Sequence, residues 1–447
     1  MDRPWMKYLP PLCAALGGGL LAGTAAVCAR LERGGCAFVI AALLAAAVLG
    51  LALVWCEARS ARCVMVMLLP IGAAMLVRAL CMDHVSLDYT NFLSRWYEYF
   101  KMNGGFSAIA GSVGDYNVPY LYFMAAISYS DVPDLYLIKL FSILWDIVLA
   151  WGCLRLTRVL TGGSRAPLVA FGVALFLPTV VLNGAFWGQC DAIYGALCVH
   201  AAALALEGRH KGAIALMGAA FSVKLQAIFV LPLWGVLWLA KKVRFRELWV
   251  FPLAYLATIV PALLMGKPLG DILGIYFNQM GEYSRLVLNA PSVYQLFPGV
   301  GEEGQALASA LGILAAGALV LALLALGFRL REGLDRDAAM AIAVILVIGV
   351  PFLLPHMHER YFFLADVFTL CWACADVRNV PAAVLAEGAS LASYCVYLRL
   401  KYNFTFKLGG QYYVMAVEAL CMLAALVFAA AVLVRQLQEK RKRGDAL

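Results

Sequence analysis

Charged residues are scarce in this chain of 447 residues: Asp, Glu, Lys and Arg make up 14% of it, while 64% is hydrophobic. Mean hydropathy is +0.84. A soluble domain cannot bury that much apolar surface, so the composition excludes a soluble globular protein and predicts a polytopic membrane protein. The sequence also lacks a polar linker, an internal repeat and a low-complexity tract. We therefore predict an all-α fold with one bundle of transmembrane helices.

Other absences exclude further classes of protein. The thirteen cysteines are odd in number and lie mostly inside apolar segments, so they do not indicate a disulfide framework. Cys371 and Cys374 have CxxC spacing but lie in an apolar segment, and we expect neither a metal nor a redox role for them. The net charge of +8 comes mostly from short loops and the tail, without a basic patch of interleaved recognition residues. We expect membrane lipids, and no nucleic acid, among the partners.

Long hydrophobic runs make up most of the sequence and predict its membrane spans. A helix that spans a bilayer needs roughly 20 apolar residues, and about fourteen segments approach or reach that length. The predicted spans are 9–29, 36–56, 63–82, 136–158, 167–185, 190–207, 212–223, 226–240, 248–266, 305–328, 338–355, 361–375, 381–398 and 412–434. The first run is long for a signal peptide and more spans follow it, so we expect an uncleaved first helix. The short segments 212–223 and 226–240 meet at Lys224 and predict a broken hairpin.

Polar stretches divide the chain into five predicted parts. These are an N-terminal three-helix segment at 1–82, a long loop with interfacial helices at 83–135, central helices at 136–266, a second long loop at 267–304, and C-terminal helices with a basic tail at 305–447.

The distribution of Lys and Arg predicts the orientation of the bundle. With the N-terminus inside and one crossing for each span, five basic loops and the tail fall on the inner side. Two short loops disagree, one with Arg30 and Arg33 and one with Arg399, Lys401 and Lys407. The stretches on the outer face are then 83–122, 188–191, 267–304 and 355–361. We therefore predict a multi-pass protein of the cell membrane with its active site on the extracytoplasmic face.

Three acids lie in the first long loop: Asp83, Asp88 and Asp115. Asp88 follows a predicted span and precedes a helical pattern, which places it at the rim of the membrane. A carboxylate that is partly desolvated is more basic and can take a proton from a hydroxyl group, so we predict that Asp88 is a general base. A helix N-cap is the alternative role for Asp88, and the two roles are compatible.

Aromatic residues follow Asp88 at helical spacing. Phe92, Trp96, Tyr99 and Phe100 fall on one side of a helix over 90–102, which predicts an interfacial helix with its aromatic side toward the membrane. A simple interfacial anchor explains the same pattern without any chemistry.

The sequence DYNVPYLY at 115–122 contributes Asp115, Tyr116 and Tyr120. Sugar rings stack on such aromatic faces, and we predict that these residues contact the substrate. Tyrosines also serve as plain interfacial anchors, which is an equal alternative.

Polar residues interrupt two later apolar segments. Gln189 and Asp191 end NGAFWGQCD, and polar side chains in apolar surroundings are costly unless they have a function. Lys224 and Gln226 interrupt FSVKLQAIFVLPLW, where a lysine suits the phosphate of an anionic lipid. We predict that all four contact the substrate. The alternatives are a polar lid at a helix end for the first pair and snorkelling of the lysine to the surface for the second.

A dense charged cluster, PHMHERY, lies at 355–361. Arg360 presents a planar guanidinium that suits phosphate oxygens, with Glu359 placed to orient it and His358 beside them. A solvated helix end with a local Glu–Arg pair is the alternative. His356 and His358 are two residues apart, whereas helical zinc pairs are three or four apart, so we predict no metal ligand here.

The last predicted outer loop contains one further short motif. Asn403-Phe404-Thr405 fits the acceptor pattern for N-glycosylation, a signal that is weak because three-residue matches are common.

Taken in order, these motifs resemble a known superfamily. An acid after an early span is followed by D-Y-x-x-P-Y-L-Y, W-G-Q-x-D, K-x-Q in a short hairpin and P-x-M-H-E-R-Y. The set resembles the GT-C superfamily of glycosyltransferases that use polyprenyl-phosphate sugars, and looks most like bacterial relatives of the GPI-anchor mannosyltransferases. The resemblance runs from about Asp88 to Tyr361. The chain departs from that pattern in two extra helices before the loop and in D-Y-N-V-P-Y where D-Y-P-P is commoner.

The resemblance implies transfer of a hexose, such as mannose, from a polyprenyl-phosphate donor to a hydroxyl of a glycan, lipid or protein on the extracytoplasmic face. Asp88 matches the base of that family, and Lys224 and Arg360 match basic residues beside the donor phosphate. A single displacement by one base inverts the anomeric centre. No cofactor is expected. The D-x-D pattern of Asp335 and Asp337 falls on the predicted inner side, and dependence on a divalent metal stays open.

A transporter or flippase of a lipid-linked or ionic substrate is the rival hypothesis, because it also uses many helices, intramembrane charges and broken helices. The lack of pseudo-symmetric halves in the sequence favours the transferase, as does the clustering of polar residues outside rather than at the membrane midplane.

Overall fold

The computed structural model describes residues 7–163, 165–281, 285–297, 300–400, 407–408 and 411–443. Almost all of the regular structure in these ranges is helical, which confirms the all-α prediction. The helices are α1 (Leu9–Cys28), α2 (Cys36–Ala58), α3 (Ala61–Leu80), α4 (Ser94–Met102), α5 (Val118–Ile127), α6 (Asp134–Thr161), α7 (Ala166–Phe176), α8 (Pro178–Val181), α9 (Asp191–Leu206), α10 (His210–Val223), α11 (Pro232–Leu239), α12 (Phe245–Leu248), α13 (Val250–Leu264), α14 (Leu269–Gly281), α15 (Glu302–Leu330), α16 (Arg336–Leu353), α17 (Phe363–Ala375), α18 (Val380–Tyr397) and α19 (Tyr413–Arg443).

Short elements complete the described chain. Two π turns span Tyr89–Leu93 and Leu182–Trp187. The 3₁₀ turns are Gly105–Ala110, Leu225–Phe229, Val293–Leu296, Arg331–Gly333, Glu359–Phe362 and Val377–Asn379. Four strands of two residues each are β1 (Val287–Leu288), β2 (Met357–His358), β3 (Lys407–Leu408) and β4 (Gln411–Tyr412).

Nine helices in the described ranges are long and apolar enough to cross a membrane. The number is ten if the segments Ala166–Phe176 and Pro178–Trp187, which are bent by 46°, form one span. The bend falls at Pro178, whose ring cannot continue the helix before it. The protein is therefore a membrane-embedded helical bundle. The count of fourteen spans stays a prediction, because the other predicted segments are helical but shorter.

Close packing of helices holds the bundle together. α1 crosses α3 where Gly17 faces Leu68, and a Cβ on Gly17 would lie 2.4 Å from the carbonyl oxygen of Leu68. Only glycine lets the two backbones approach that closely. The most buried of the candidate spans is α16, with 83% of its apolar window inside the protein, followed by α6 with 67%. These two helices form the interior around which the others pack.

The predicted break at Lys224 is confirmed. α10 ends at Val223, and Lys224 has extended dihedral angles of φ −153° and ψ 135°. A 3₁₀ turn follows, and Pro232 then begins α11 at a position that suits proline because its missing N–H needs no partner there.

The second long loop, predicted at 267–304, has more structure than a loop. It contains α14 and the strand β1, which pairs in parallel with β2 through Val287 and Met357. The backbone N–H of His356 donates to the carbonyl oxygen of Leu286 at 2.7 Å. These bonds fasten the second loop to the PHMHERY segment.

The helix predicted over 90–102 is present, but its aromatic side does not face the membrane as expected. Trp96 and Phe100 are buried inside the protein, and only Phe92 is exposed among the larger aromatics of that side. The ring of Trp96 packs edge-on against Tyr116 with the centroids 5.3 Å apart. Helical spacing identified the apolar side correctly, but that side packs on α5 and the adjoining loop.

The loops separate into two groups at opposite ends of the bundle. The stretches predicted on the outer face lie together: Lys267, for example, donates from Nζ to the carbonyl oxygen of Gly111 at 2.7 Å. The basic loops lie together at the other end, where Arg155 pairs with Glu207 and Arg336 donates to the carbonyl oxygen of Leu206.

The two basic loops that disagree with the predicted orientation differ in how they are described. The loop with Arg33 lies at the same end of the bundle as the stretches predicted on the outer face, because the backbone N–H of Arg33 donates to the hydroxyl of Tyr136 at 3.1 Å. In the other loop, Lys401 lies outside the described residues, as does the motif Asn403-Phe404-Thr405.

Candidate active site

A lysine from α6 fixes the start of the first long loop. Nζ of Lys139 donates to the carbonyl oxygens of Cys81 and His84, each at 2.6 Å, and to that of Met82 at 3.1 Å. Carbonyls at the end of a helix have no intrahelical partner, so Lys139 satisfies those that follow α3. The loop therefore begins in a defined conformation, four residues before Asp88.

Asp88 itself is part of a helical turn. Its φ of −65° and ψ of −37° are helical, and its carboxylate makes no capping bond to the described backbone. Ser86 has that role: its Oγ accepts a hydrogen bond from Tyr89 N at 3.1 Å. The N-cap alternative for Asp88 is therefore wrong. The following turn, Tyr89–Leu93, is a π turn, which is common at functional sites.

Four side chains surround the carboxylate of Asp88, and all of them donate to it. Oδ2 accepts hydrogen bonds from Gln189 Nε2 at 2.6 Å and from Trp187 Nε1 at 3.1 Å. Nη1 of Arg360 lies 3.4 Å from the same oxygen. Oδ1 accepts from the hydroxyl of Tyr397 at 2.6 Å. An ionised carboxylate has about four lone-pair directions, so Oδ1 keeps one for a ligand proton.

Gln189 is held by its backbone and by its side chain. The π turn before it is followed by Gly188, whose φ of +87° favours glycine. Ser142 of α6 donates to the carbonyl oxygen of Gln189 at 2.6 Å, and the hydroxyl of Tyr116 donates to Gln189 Oε1 at 2.8 Å. These bonds turn the amide NH₂ group toward Asp88. The alternative of a solvated polar lid is wrong, because Gln189 is buried.

Lys224, at the break after α10, pairs with Asp191 at the start of α9. Their side chains are only 6% and 1% exposed. Nδ2 of Asn183 donates to the other oxygen of Asp191 at 2.6 Å. Nζ of Lys224 also lies 5.1 Å from the centre of the Tyr116 ring, within the range of a cation–π contact. The snorkelling alternative is therefore wrong, because the ammonium group is inside the protein.

The PHMHERY segment is partly to fully buried rather than solvated. Glu359 is 1% exposed, and the guanidinium of Arg360 lies over the ring of Trp187, 5.6 Å from its centre. Among the described residues, no ion pair joins Glu359 to Arg360; the partner of Arg360 is Asp88. The alternative of a solvated helix end with a local Glu–Arg pair is therefore wrong, and the expectation that Glu359 orients Arg360 stays a prediction.

These groups line one cavity of about 130 Å³. Three buried polar atoms of its lining residues have no hydrogen-bond partner in the described part of the chain: Gln226 Oε1, Glu359 Oε2 and Arg360 Nε. Buried polar groups in proteins are normally hydrogen-bonded. Unsatisfied atoms from three side chains around one cavity therefore indicate hydrogen-bonding capacity for a ligand.

The structure brings nine of the eleven predicted site residues to the cavity: Asp88, Asp115, Tyr116, Gln189, Lys224, Gln226, His358, Glu359 and Arg360. The other two, Tyr120 and Asp191, lie behind it. Tyr120 packs against the ring of Tyr116 with the centroids 5.0 Å apart, and Asp191 contacts Lys224. The roles of these residues stay predictions.

Sequence reasoning missed several residues of the site. Tyr397, which bonds to Asp88, follows it by 309 residues. Its position at the end of a predicted span was the only signal. Asn117 and Tyr276 also line the cavity and bond to each other at 2.8 Å, which ties the first loop to α14. Trp187 was part of a noted motif, but its bond to Asp88 was not predicted.

Burial shifts the pKa of several groups around the cavity, among them Glu359, His358 and Asp115. Desolvation raises the pKa of Glu359 from its ordinary 4.5 to about 7, with Arg360 opposing the rise and the carboxylate of Asp88 adding to it. Desolvation lowers the pKa of His358 to about 3, with nearby cations adding to the effect, so its imidazole is neutral. Desolvation also raises the pKa of Asp115.

Comparison with known proteins adds no relative. No protein-family model matches the chain, and no curated protein matches it. In the part of the chain that the structure describes, no group of three His, Cys, Asp or Glu side chains is placed to hold a metal ion.

Proposed function

We propose that this protein is an integral-membrane glycosyltransferase of the GT-C type, which transfers a hexose from a polyprenyl-phosphate donor to an acceptor hydroxyl. One observation carries the proposal: a carboxylate that accepts hydrogen bonds, two cations and three unpartnered polar atoms of the described residues converge on one cavity. A hexosyl phosphate offers hydroxyl donors and anionic acceptor oxygens, and it therefore complements this set. Mannose is the hexose that the family resemblance suggests.

The reaction assigned to Asp88 is a single displacement. Asp88 takes the proton of the acceptor hydroxyl while the hydroxyl oxygen attacks the anomeric carbon of the donor. The bond between that carbon and the phosphate oxygen breaks, and its electron pair leaves with the phosphate. The products are the new glycoside and polyprenyl phosphate, and Asp88 then returns its proton to solvent. Attack opposite the leaving group inverts the anomeric centre.

The two cations suit the departing phosphate. A guanidinium binds one anion along one edge and leaves other N–H groups for a second anion. Arg360 contacts Asp88 through Nη1 and keeps Nε without a described partner, so it is able to hold the base and the phosphate together. Lys224 lines the same cavity and adds a second positive charge beside the phosphate.

The cavity wall suits a sugar ring. The rings of Trp96 and Tyr116 form an edge-to-face pair, and both line the cavity. Aromatic faces supply an apolar platform for the C–H side of a sugar, while Oε1 of Gln226 accepts a hydrogen bond from a hydroxyl. The proposal leaves the acceptor open among glycans, lipids and proteins.

The distribution of charge supports an extracytoplasmic site, because the basic loops lie at the opposite end of the bundle. Labelling with an impermeant thiol reagent tests this orientation. Met102→Cys marks the end with the cavity and Val377→Cys marks the other; both native residues are exposed. Cys56→Ser removes the one exposed native thiol from the background. We expect intact cells to label position 102 only, and labelling of 377 alone would reverse the orientation.

The transfer reaction is tested with purified protein, polyprenyl-phosphate mannose or glucose, and a mixture of glycan, lipid and peptide acceptors. We expect free polyprenyl phosphate and a new glycoside to form in equal amounts. Asp88→Asn is the matched inactive variant. A nucleotide sugar replaces the lipid-linked donor in a parallel reaction and should give no product.

The same preparation distinguishes the rival function. Reconstituted liposomes that move a lipid-linked sugar across the bilayer, without releasing polyprenyl phosphate in any acceptor mixture, would indicate a flippase and contradict the transferase.

A further inference from the structure

The cavity contains a second carboxyl group, in surroundings unlike those of Asp88. Glu359 lines the cavity and is 1% exposed, and its Oε2 has no hydrogen-bond donor among the described residues. Nδ1 of His358 lies 3.9 Å from Oε2, on an imidazole that burial keeps neutral. Asp88, by contrast, accepts from four donors. A buried carboxylate without donors is costly, whereas a buried carboxylic acid is not.

Charges on the neighbouring elements favour the same form. The carboxylates of Asp88 and Asp191 act on Glu359 from the first loop and from α9, and both disfavour a further negative charge. Arg360 opposes them, but its guanidinium is engaged with Asp88. The ammonium of Lys224 is engaged with Asp191.

The hydroxyls of two tyrosines of α18 complete the surroundings of Glu359. Tyr397 donates to Asp88, and Tyr394 accepts a bond from Asn183. Neither hydroxyl has Glu359 as its described partner. The backbone N–H of Glu359 and the charge of Arg360 favour an ionised carboxylate there, but burial outweighs both.

We propose that Glu359 is the protonated carboxyl of this cavity and donates its O–H to a phosphate oxygen of the lipid-linked ligand, while Asp88 is the ionised carboxyl that accepts. The proposal rests on the proposed function, because it requires a phosphate-bearing ligand. It adds a neutral donor to the two cations at the phosphate. No proton leaves Glu359 in the reaction, so the balance of the displacement is unchanged.

The charge count explains why a neutral acid is needed. With Glu359 neutral, Asp88 and Asp191 balance Lys224 and Arg360, and Asp115, which also lines the cavity, is the remaining acid. With Glu359 ionised, the cavity is negative before the phosphate enters, and two anions then face each other at short range. Phosphate binding should therefore be strong below the pKa of Glu359, which is about 7, and weak above it.

Binding of long-chain polyprenyl phosphate to the purified, full-length protein tests the proposal, with the matching polyprenol as the control without phosphate. At pH 8.5 only about 3% of Glu359 is protonated if its pKa is about 7, so we expect the Kd of the wild type to rise about 30-fold between pH 6 and pH 8.5. Glu359→Gln keeps a neutral donor and should bind with little change over that range. Any change in the Kd of Glu359→Gln over this pH range measures the effect of the titration of the phosphate itself.

One further variant and one further measurement make the test decisive. Glu359→Ala removes the donor and should bind weakly at both pH values. Melting temperatures test the protonation state of Glu359 in the absence of any ligand. Because the folded pKa of about 7 lies above the ordinary 4.5, the stability due to this proton is complete below about pH 4.5 and is lost as pH rises to about 7. Glu359→Gln should therefore melt above the wild type at pH 8.5, with a smaller difference at pH 5.

The outcomes separate the two proposals. If the wild type binds polyprenyl phosphate and transfers sugar, but Glu359→Gln shows the same pH dependence as the wild type, the inference about Glu359 is wrong and the transferase stands. If neither protein binds polyprenyl phosphate at pH 6, the phosphate role of Glu359 and the transferase both fail. In that case, a difference in melting temperature between Glu359→Gln and the wild type that grows with pH would support only the inference that the carboxyl of Glu359 is neutral.

Discussion

The ion pair beside the cavity and the most exposed ion pair at the basic end of the bundle differ sharply in burial. At the end with the cavity, the Lys224–Asp191 pair is inside the protein, with side chains 6% and 1% exposed. At the basic end, the Arg378–Asp376 pair lies on the surface, with side chains 78% and 35% exposed. Water can replace the partner of either residue in the second pair but not in the first.

The difference supports the placement of the proposed chemistry at the end with the cavity. Surface ion pairs contribute little to folding, because water and salt screen them. Removing two charges from water costs several kcal/mol for each ion, and pairing often does not recover the whole cost. A protein that buries two such pairs beside a cavity is therefore less stable than one with an apolar core there. Binding and turnover of a charged ligand are the benefit that would offset this loss.

The largest effect is expected at Asp88. Asn keeps the shape: its amide oxygen can accept from Gln189, Trp187 and Arg360, while its NH₂ donates to the hydroxyl of Tyr397. It cannot take a proton from a hydroxyl. We expect Asp88→Asn to melt close to the wild type and to transfer sugar about 10²–10⁴-fold more slowly, measured as the rate of polyprenyl phosphate release.

Two other acids of the first loop are the controls. Asp83 accepts from Tyr136 at 2.5 Å, and it is not among the residues that line the cavity. Asp115 lies at the cavity rim. An active Asp88→Asn beside an inactive and equally stable Asp115→Asn would assign the base to Asp115.

The next largest effect is expected at Lys224, on both stability and transfer. Lys224→Met leaves Asp191 buried and unpaired, which typically costs about 3–5 kcal/mol. In the double variant Lys224→Met/Asp191→Asn both charges are gone, so most of the free energy of unfolding should return while transfer stays slow. Melting temperature and transfer rate, measured on the single and double variants, separate the two effects. If the double variant regains full activity, the lysine has only a structural role.

A smaller effect is expected at Tyr397. Tyr397→Phe removes one hydrogen bond to the carboxylate of Asp88, and bonds to charged groups are worth about 1.5–3 kcal/mol. The stacking of the ring on Trp187, with centroids 4.8 Å apart, is retained. We expect kcat to fall about tenfold with a small change in melting temperature. An unchanged kcat would show that the hydroxyl does not position the base.

The smallest effect is expected at the basic end. Arg378→Ala removes a solvated charge whose partner, Asp376, can be hydrated in its place. Transfer rate and melting temperature should both match the wild type within error. A loss of transfer comparable to that of the Lys224 variants would contradict the proposal that only the end with the cavity takes part in the reaction.

Much of the fold could be predicted from the sequence, because span length and apolar content are local properties. The helix predicted at 36–56 is found at Cys36–Ala58, and the break at Lys224 lies where a charge interrupts an apolar run. The structure of the second loop was not predicted, because the pairing of β1 with β2 joins segments about 70 residues apart in sequence.

The sequence indicated most of the residues that line the cavity, but it did not indicate which of them contact each other. Residue types and positions indicated Asp88, Lys224 and Arg360. We expected both cations to bind a phosphate, but we did not predict that each of them also pairs with a carboxylate of the protein. Arg360 and Asp88 are 272 residues apart, and nothing local to either one encodes the contact. The buried state of Trp96 was missed for a related reason: helical spacing shows which side is apolar, but not whether lipid or protein covers it.

The two π turns, Tyr89–Leu93 and Leu182–Trp187, imply an unusual sensitivity to deletions. One begins directly after Asp88, and the other ends at Trp187, which donates to it. A π turn holds one residue more than the α turn in its place. Deleting that extra residue would restore an α turn, which leaves the flanking helices near their original register but changes the directions of the side chains within the turn. Every side chain of the site would remain in the chain, and the bond between Trp187 and Asp88, which stand at the ends of these turns, is the contact that such a deletion would disturb first.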